Sequence, residues 1–183
     1  MAVQTFTAGQ VLTAAQMTTL QDNTALQFVK SQTIGNAVTS VTVSDAFSTT
    51  YDNYRILVSG GAASTSLTLG LTLGATATGY YDAGSYGTFG SATIVGFGNN
   101  NAASIALGGD GSADGLSSII EVYNPFAARE TTFRVSYITN RTAGVFVDLG
   151  AFLNNNTSYT AFTLTCSTGN ITGGTISVYG YKK

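Results

Sequence analysis

Apolar and polar residues alternate along most of this chain, and clusters of glycine and asparagine interrupt the alternation at short intervals. The clearest run is STSLTLGLTLG at 64–74, where Leu67, Leu69, Leu71 and Leu73 alternate with small or polar residues. A period of two puts such residues on one face of a half-buried strand. The same reading applies to TSVTVSDAF (39–47), NYRILVSGG (53–61), the Gly/Tyr-rich 79–90, ATIVGFG and ASIALGG. It applies again to SIIEVYNP (118–125), TTFRVSYIT (131–139), AGVFVDLGAF (143–152), TAFTLTCS (160–167) and GTISVYGY (174–181). Many short strands separated by turn residues predict an all-β sandwich or barrel. A two-sheet, jelly-roll-like β-sandwich is the expected architecture, with an immunoglobulin-like sandwich as the alternative.

The N-terminal stretch TFTAGQVLTAAQMTTLQDNTALQ follows a different pattern. Thr13 is placed to cap a helix, and Gln16 stands where a capping box returns a hydrogen bond to the cap residue. Leu12 before the cap and Met17 after it are spaced for a hydrophobic staple. Met17, Leu20 and Phe28 then fall on roughly one face, with Thr24 between them, predicting a helix of about four turns. So short a helix is marginal alone and needs a partner surface. The predicted organisation is therefore an anchoring segment at 1–30 and an autonomous β-sandwich at 31–183.

Composition narrows the function. In 183 residues, 44% hydrophobic and 11% aromatic content supports a real core, yet charged residues are only 9%. That is well below the roughly 25% of ordinary soluble domains, so Thr, Ser, Asn and Gly must cover the surface. A net charge of -2 offers no basic footprint for nucleic acid. No apolar run is long enough for a membrane span, and no export signal is expected. A neutral surface suited to the exterior, made in a cytoplasm and released by lysis, reconciles these features. The single Cys166 permits no internal disulfide and alternates with Phe162 and Leu164, so burial in a strand is expected.

Several segments together resemble a domain of tailed-bacteriophage virion proteins. They are YDNYRILVSG with its Tyr51-x-x-Tyr54 centre, IIEVYNPFAARETTFRVSY, and the closing FTLTCSTGNITGGTISVYGYKK. The opening TFTAGQVLTAAQM is similar to the start of phage minor tail and tail-fibre proteins. The resemblance implies a homotrimeric, jelly-roll-like virion component mounted on other virion proteins through its N-terminus. It implies assembly in the host cytoplasm and exposure on the particle exterior. Tail-fibre or tail-tip attachment to the host surface is the first expectation, and capsid decoration (a head fibre or cement protein) the second.

The absence of histidine removes Ser-His-Asp and Cys-His catalysis and the commonest metal ligand. No enzyme and no cofactor is expected. Paired carboxylates among Asp82, Asp110, Asp114, Glu121 and Asp148 leave a glycan-cleaving tail enzyme as a distant alternative. GGDGSADGLSSIIEVY sets Asp110, Ser112, Asp114 and Glu121 at the spacing of a Ca²⁺ loop. A plain Asp/Gly hairpin explains the same letters. Tyr80, Tyr81, Asp82, Tyr86 and Phe89 form the candidate recognition cluster for a host-surface glycan, since tyrosines present flat faces and hydroxyls with little rotamer freedom to lose. The competing reading packs these rings within the sheet or against a neighbouring subunit.

Overall fold

The structure, a computed structural model, describes residues 6–22, 25–139 and 144–183. The helix α1 (Ala14–Asp22) precedes strands β1 (Leu26–Thr33), β2 (Ser40–Val43), β3 (Asn53–Gly60), β4 (Ala62–Ala63) and β5 (Leu67–Leu73). Strands β6 (Tyr80–Thr88), β7 (Ile94–Ala102), β8 (Ile105–Ser112), β9 (Gly115–Tyr123) and β10 (Thr131–Thr139) follow. The chain ends with β11 (Val145–Leu153), β12 (Phe162–Cys166), β13 (Ile171–Thr172) and β14 (Thr175–Tyr181).

Among the described residues, 12 strands form one antiparallel ladder in the order β2-β12-β5-β8-β9-β10-β11-β6-β7, with β3, β14 and β1 branching from β9. Strand β9 makes the ladder divide. It pairs with β8 only over Gly115–Ser117, takes up β10 from Ile119 onward, and keeps β3 on its other edge throughout. One layer is therefore β2-β12-β5-β8, and the other is β1-β14-β3-β9-β10-β11-β6-β7. The result is a jelly-roll-like β-sandwich preceded by one short helix.

The core lies between the layers. Leu67, Leu69, Leu71 and Leu73 of β5 are buried in one cluster with Ile56, Val58, Ile120, Val122, Val135, Leu149, Ile176 and Val178. Full burial of each such side chain is worth roughly 1.5–3 kcal/mol. Alternation does the sorting: β10 reads buried, exposed, buried along all nine residues. Cys166 is half-buried at the end of β12, its thiol 3.9 Å from the Val38 carbonyl, and burial pushes that thiol's pKa up.

Several motif residues hold the sandwich together. Tyr54 is fully buried, accepts from the Ser48 amide at 2.8 Å and donates to the Ser48 carbonyl at 3.0 Å. Tyr51 packs edge-on to Tyr54, with centroids 5.8 Å apart. A Cβ on Gly180 would sit 2.3 Å from the Tyr51 ring, so this ring position requires glycine there. Asn124 of the YNP stretch adopts a positive φ of 58° and donates its amide to the Asp52 carbonyl at 2.8 Å.

The N-terminal expectation needs correction in its second half. The capping box is present: the Thr13 amide donates to Gln16 Oε1 at 2.9 Å, and the Gln16 amide donates to Thr13 Oγ1 at 3.2 Å. The helix is described over nine residues, however, and Asn23 and Thr24 lie outside the described residues. Phe28 is not on a helix. It lies in β1, 61% exposed, with its ring edge-on to Tyr179 of β14 at 5.8 Å. The open edge of β14 recruits this segment: backbone pairing from Leu26↔Tyr181 to Thr33↔Thr175 outweighs a three-residue apolar spacing. The boundary expected at Lys30 thus falls inside a strand, and the sandwich takes up the chain from Leu26.

Candidate functional site

The outer face of the larger layer carries an open groove. On it, the antiparallel register sets Tyr81 of β6 directly opposite Phe152 of β11, and Phe152 opposite Thr132 of β10. The Tyr81 and Phe152 rings stack with centroids 4.8 Å apart and planes within 5°. That separation matches the spacing of neighbouring strands, so the rings stand side by side across the sheet. Each ring covers one face of the other and keeps its far face. Around them runs an open groove of about 680 Å³, lined by Tyr81, Asp82, Asn99, Glu130, Thr132 and Phe152, with Ala83, Gly150 and Ala151 as its floor.

Small floor residues make the groove: at Ala83 and Gly150, which pair on the outward face, no large side chain fills the space beside the rings. The β7 rim is shaped by a bulge. Tyr80 pairs with Ala102 and Asp82 with Asn99, so the one residue Tyr81 of β6 faces two, Asn100 and Asn101, of β7. Asn101 in the bulge has a φ of 54°, a conformation that asparagine tolerates better than most residues. Its Oδ1 accepts from Thr78 Oγ1 at 3.1 Å and from the Gly79 amide at 3.0 Å, fixing the start of β6. Asp82, 92% buried by its 8% exposure, accepts from Asn99 Nδ2 at 2.9 Å. By register that bond lies on the Tyr80 face of the sheet, opposite to the Tyr81 and Phe152 rings, and ties β7 to β6 there.

Beside the groove a row of charges crosses the same face. Arg55 of β3 lies opposite Glu121 of β9, and Glu121 opposite Arg134 of β10. Arg55 Nε donates to Glu121 Oε1 at 2.6 Å, and the Tyr181 hydroxyl donates to Glu121 Oε2 at 2.7 Å. The Glu121 hydrogen bond raises the Arg55 pKa, and burial pushes the Tyr181 phenol up to about 12, with the bond to Glu121 adding to it. Arg134 Nη2 meets Asp148 Oδ2 at 2.9 Å in a more exposed pair. Glu121 and Asp148 are thereby held in ion pairs rather than free for acid–base chemistry.

The expected recognition cluster is divided by strand geometry. Tyr81 sets its ring in the groove, whereas Asp82, on the alternate face with Tyr80 and Tyr86, only borders it. Tyr80 does neither: it is fully buried, its hydroxyl accepting from the Leu73 amide at 2.7 Å. Tyr86 is half-buried and packs against Phe97 at 6.4 Å on the opposite face. Phe89 is 54% exposed just past the far end of β6, its amide bonded to the Gly144 carbonyl. Side chains that alternate across a nine-residue strand cannot converge on one site. Phe152 and Thr132 complete the groove from other strands, with Glu130 in the loop before β10 and Asn99 at its β7 border. Only Phe152 left a trace in the sequence, as a large apolar residue at an outward position of its alternating run.

The Ca²⁺ spacing is not assembled. Ser112 pairs with Gly115 across a two-residue hairpin turn, and the Asp114 amide donates to Ser112 Oγ at 3.1 Å. Asp110, Ser112 and Asp114 stay near this turn, beside Ile138 and Thr139. Glu121 lies six residues along extended β9, roughly 20 Å from Gly115 at about 3.3 Å per residue, and binds Arg55 instead. An ion loop must curl its chain around the metal, whereas this chain runs straight. Among the described residues no three His, Cys, Asp or Glu side chains gather as a metal site. Nor is any helix among them long and apolar enough to cross a membrane.

The anchor residues separate as well. Leu12 and Met17 are 39% and 46% exposed, Leu20 is half-buried, and Val11 is 87% exposed. Among the described residues α1 makes no substantial packing contact with any strand. In comparisons with known proteins, no family model, no curated protein and no solved structure matches this chain.

Proposed function

We propose that this chain is a non-enzymatic structural protein of a tailed-bacteriophage virion, a tail-fibre or tail-tip component that presents its sandwich for host-surface attachment. It works as a homotrimer mounted on other virion proteins through its N-terminus, on the outside of the particle. The observation that carries this reading is the uncovered N-terminal segment. Phe6, Val11, Leu12 and Met17 are all exposed on a stretch that has its own capping box. A helix with good start chemistry and an uncovered apolar side is stable only when docked. The sandwich, by contrast, closes its core without that segment. The charge-poor surface and the resemblance of the opening motif to phage tail proteins support the same assignment.

The test removes residues 1–24, which spares all of β1. The truncated protein is expected to stay folded and soluble but to be missing from assembled particles. Normal incorporation would overturn the anchor role. Imaging particles that carry the labelled full chain then places it: label at the tail supports attachment, and label over the head replaces attachment with capsid decoration. Light scattering on the free protein should give three times 18.8 kDa.

A further inference from the structure

We propose that the groove around the Tyr81–Phe152 pair binds one neutral pyranose unit of a glycan. The proposal deepens the attachment reading and rests on it for its biological setting, but its chemistry stands on the groove alone. A pyranose has an apolar face of axial C–H groups and an equatorial belt of hydroxyls. It therefore needs a flat apolar surface with hydrogen-bonding groups at its edge. The stacked rings supply the first: two parallel aromatic planes 4.8 Å apart, each fixing the other's orientation. Phe152 is 37% exposed, so its surface is accessible without rearrangement of the sheet. Holding the ring in place in the free protein removes an ordering cost from binding.

The rim supplies the second. Thr132, directly opposite Phe152 in the β10–β11 register, offers a hydroxyl on the same outward face as the rings. Thr132 and Glu130 line the groove with hydroxyl and carboxylate groups suited to sugar hydroxyls. Charge then selects among sugars. Glu130 lines the groove and, among the described residues, no Lys or Arg does, so a sialic acid or phosphorylated sugar meets repulsion without a compensating partner. Tyr81, Phe152 and Thr132 lie at register positions that place them on one patch of sheet, on three different strands, with Glu130 in the loop before β10.

Saturation-transfer NMR on the full-length protein provides the test. The probes are methyl β-D-glucoside, methyl β-D-galactoside and methyl α-D-mannoside, with the methyl glycoside of N-acetylneuraminic acid as the anionic arm. At least one neutral glycoside should receive saturation at its ring C–H protons, and the anionic probe should receive little. Phe152→Ala should weaken that binding at least tenfold, and Thr132→Ala roughly fivefold, while far-UV circular dichroism stays native. Tyr86→Ala, on the opposite face, should leave affinity unchanged. If Phe152→Ala perturbs the fold, Thr132→Ala at the exposed strand surface decides the matter. No transfer to any neutral glycoside, a preference for the anionic probe, or undiminished binding by Thr132→Ala would each overturn the proposal. These readouts use free protein, so they fail or succeed independently of the truncation test on particles.

Discussion

Tyr80→Phe removes one oxygen atom from the centre of the sandwich and nothing else. Tyr80 and Leu73 are each 0% exposed, and the Tyr80 hydroxyl accepts from the Leu73 amide at 2.7 Å while donating to the Thr76 carbonyl at 3.3 Å. The substitution leaves no cavity of consequence, because the ring stays. Its cost is the Leu73 N–H, stranded without an acceptor in an apolar core, at roughly 1–3 kcal/mol. For a chain of this size that lowers Tm by roughly 3–10 °C. Urea titration near neutral pH, followed by circular dichroism, reads the loss directly.

The same variant has a second signature at alkaline pH. Burial pushes the Tyr80 phenol from 10.0 up to about 12. Below pH 10 the phenol is protonated in both folded and unfolded chains, and its contribution to stability is fully present. As pH rises from 10 toward 12 the unfolded chain loses its proton first, so stability falls and the loss is complete above about 12. The displacement corresponds to about 3 kcal/mol at most. Tyr80→Phe has no phenol to titrate there, so the native protein's advantage should shrink across this window. Stability within about 0.5 kcal/mol of the native protein near neutral pH, the level of an ordinary surface change, would refute the burial argument. A constant gap up to pH 12 would refute the titration argument.

Other outcomes follow from the same geometry. Glu121→Gln breaks a carboxylate only 13% exposed that serves both Arg55 and Tyr181, and should cost roughly 1–3 kcal/mol in denaturant titration. Asp148→Asn breaks the exposed Arg134 pair and should cost less than about 1 kcal/mol, most of it removed by salt. Gly180→Ala drives a Cβ into the Tyr51 ring and should cost about 1–3 kcal/mol, whereas the same change in a Tyr51→Ala background should cost far less; a double-mutant cycle measures the coupling. Adding a Ca²⁺ chelator should leave Tm unchanged, because the Asp110–Glu121 spacing is drawn out along β9; a fall in Tm reversed by Ca²⁺ would contradict this. Thr13→Ala removes the cap of α1 and should weaken mounting by roughly 1 kcal/mol per subunit, read as the protein concentration needed to fill particles.

The sequence by itself determined most of the strands, though not β1, because alternation is a local property. The run Leu67–Leu73 announces a buried face whatever layer it packs against, and β5 is that run. The capping box was legible for the same reason: Thr13 and Gln16 are three residues apart and need no other part of the chain. Whatever depends on which strands become neighbours was not legible. Phe28 looked helical because Met17, Leu20 and Phe28 share a face at 3.6 residues per turn, and only the open edge of β14 draws it into a sheet. Glu121 matched an ion loop by spacing until Arg55, 66 residues away, became its cross-strand partner. The groove is the clearest case. Tyr81 and Phe152 stand 71 positions apart in the chain, and it is the β6–β11 register that stacks them and brings Thr132 alongside. A strand's sequence specifies which side chains face outward; pairing between strands specifies which outward side chains meet.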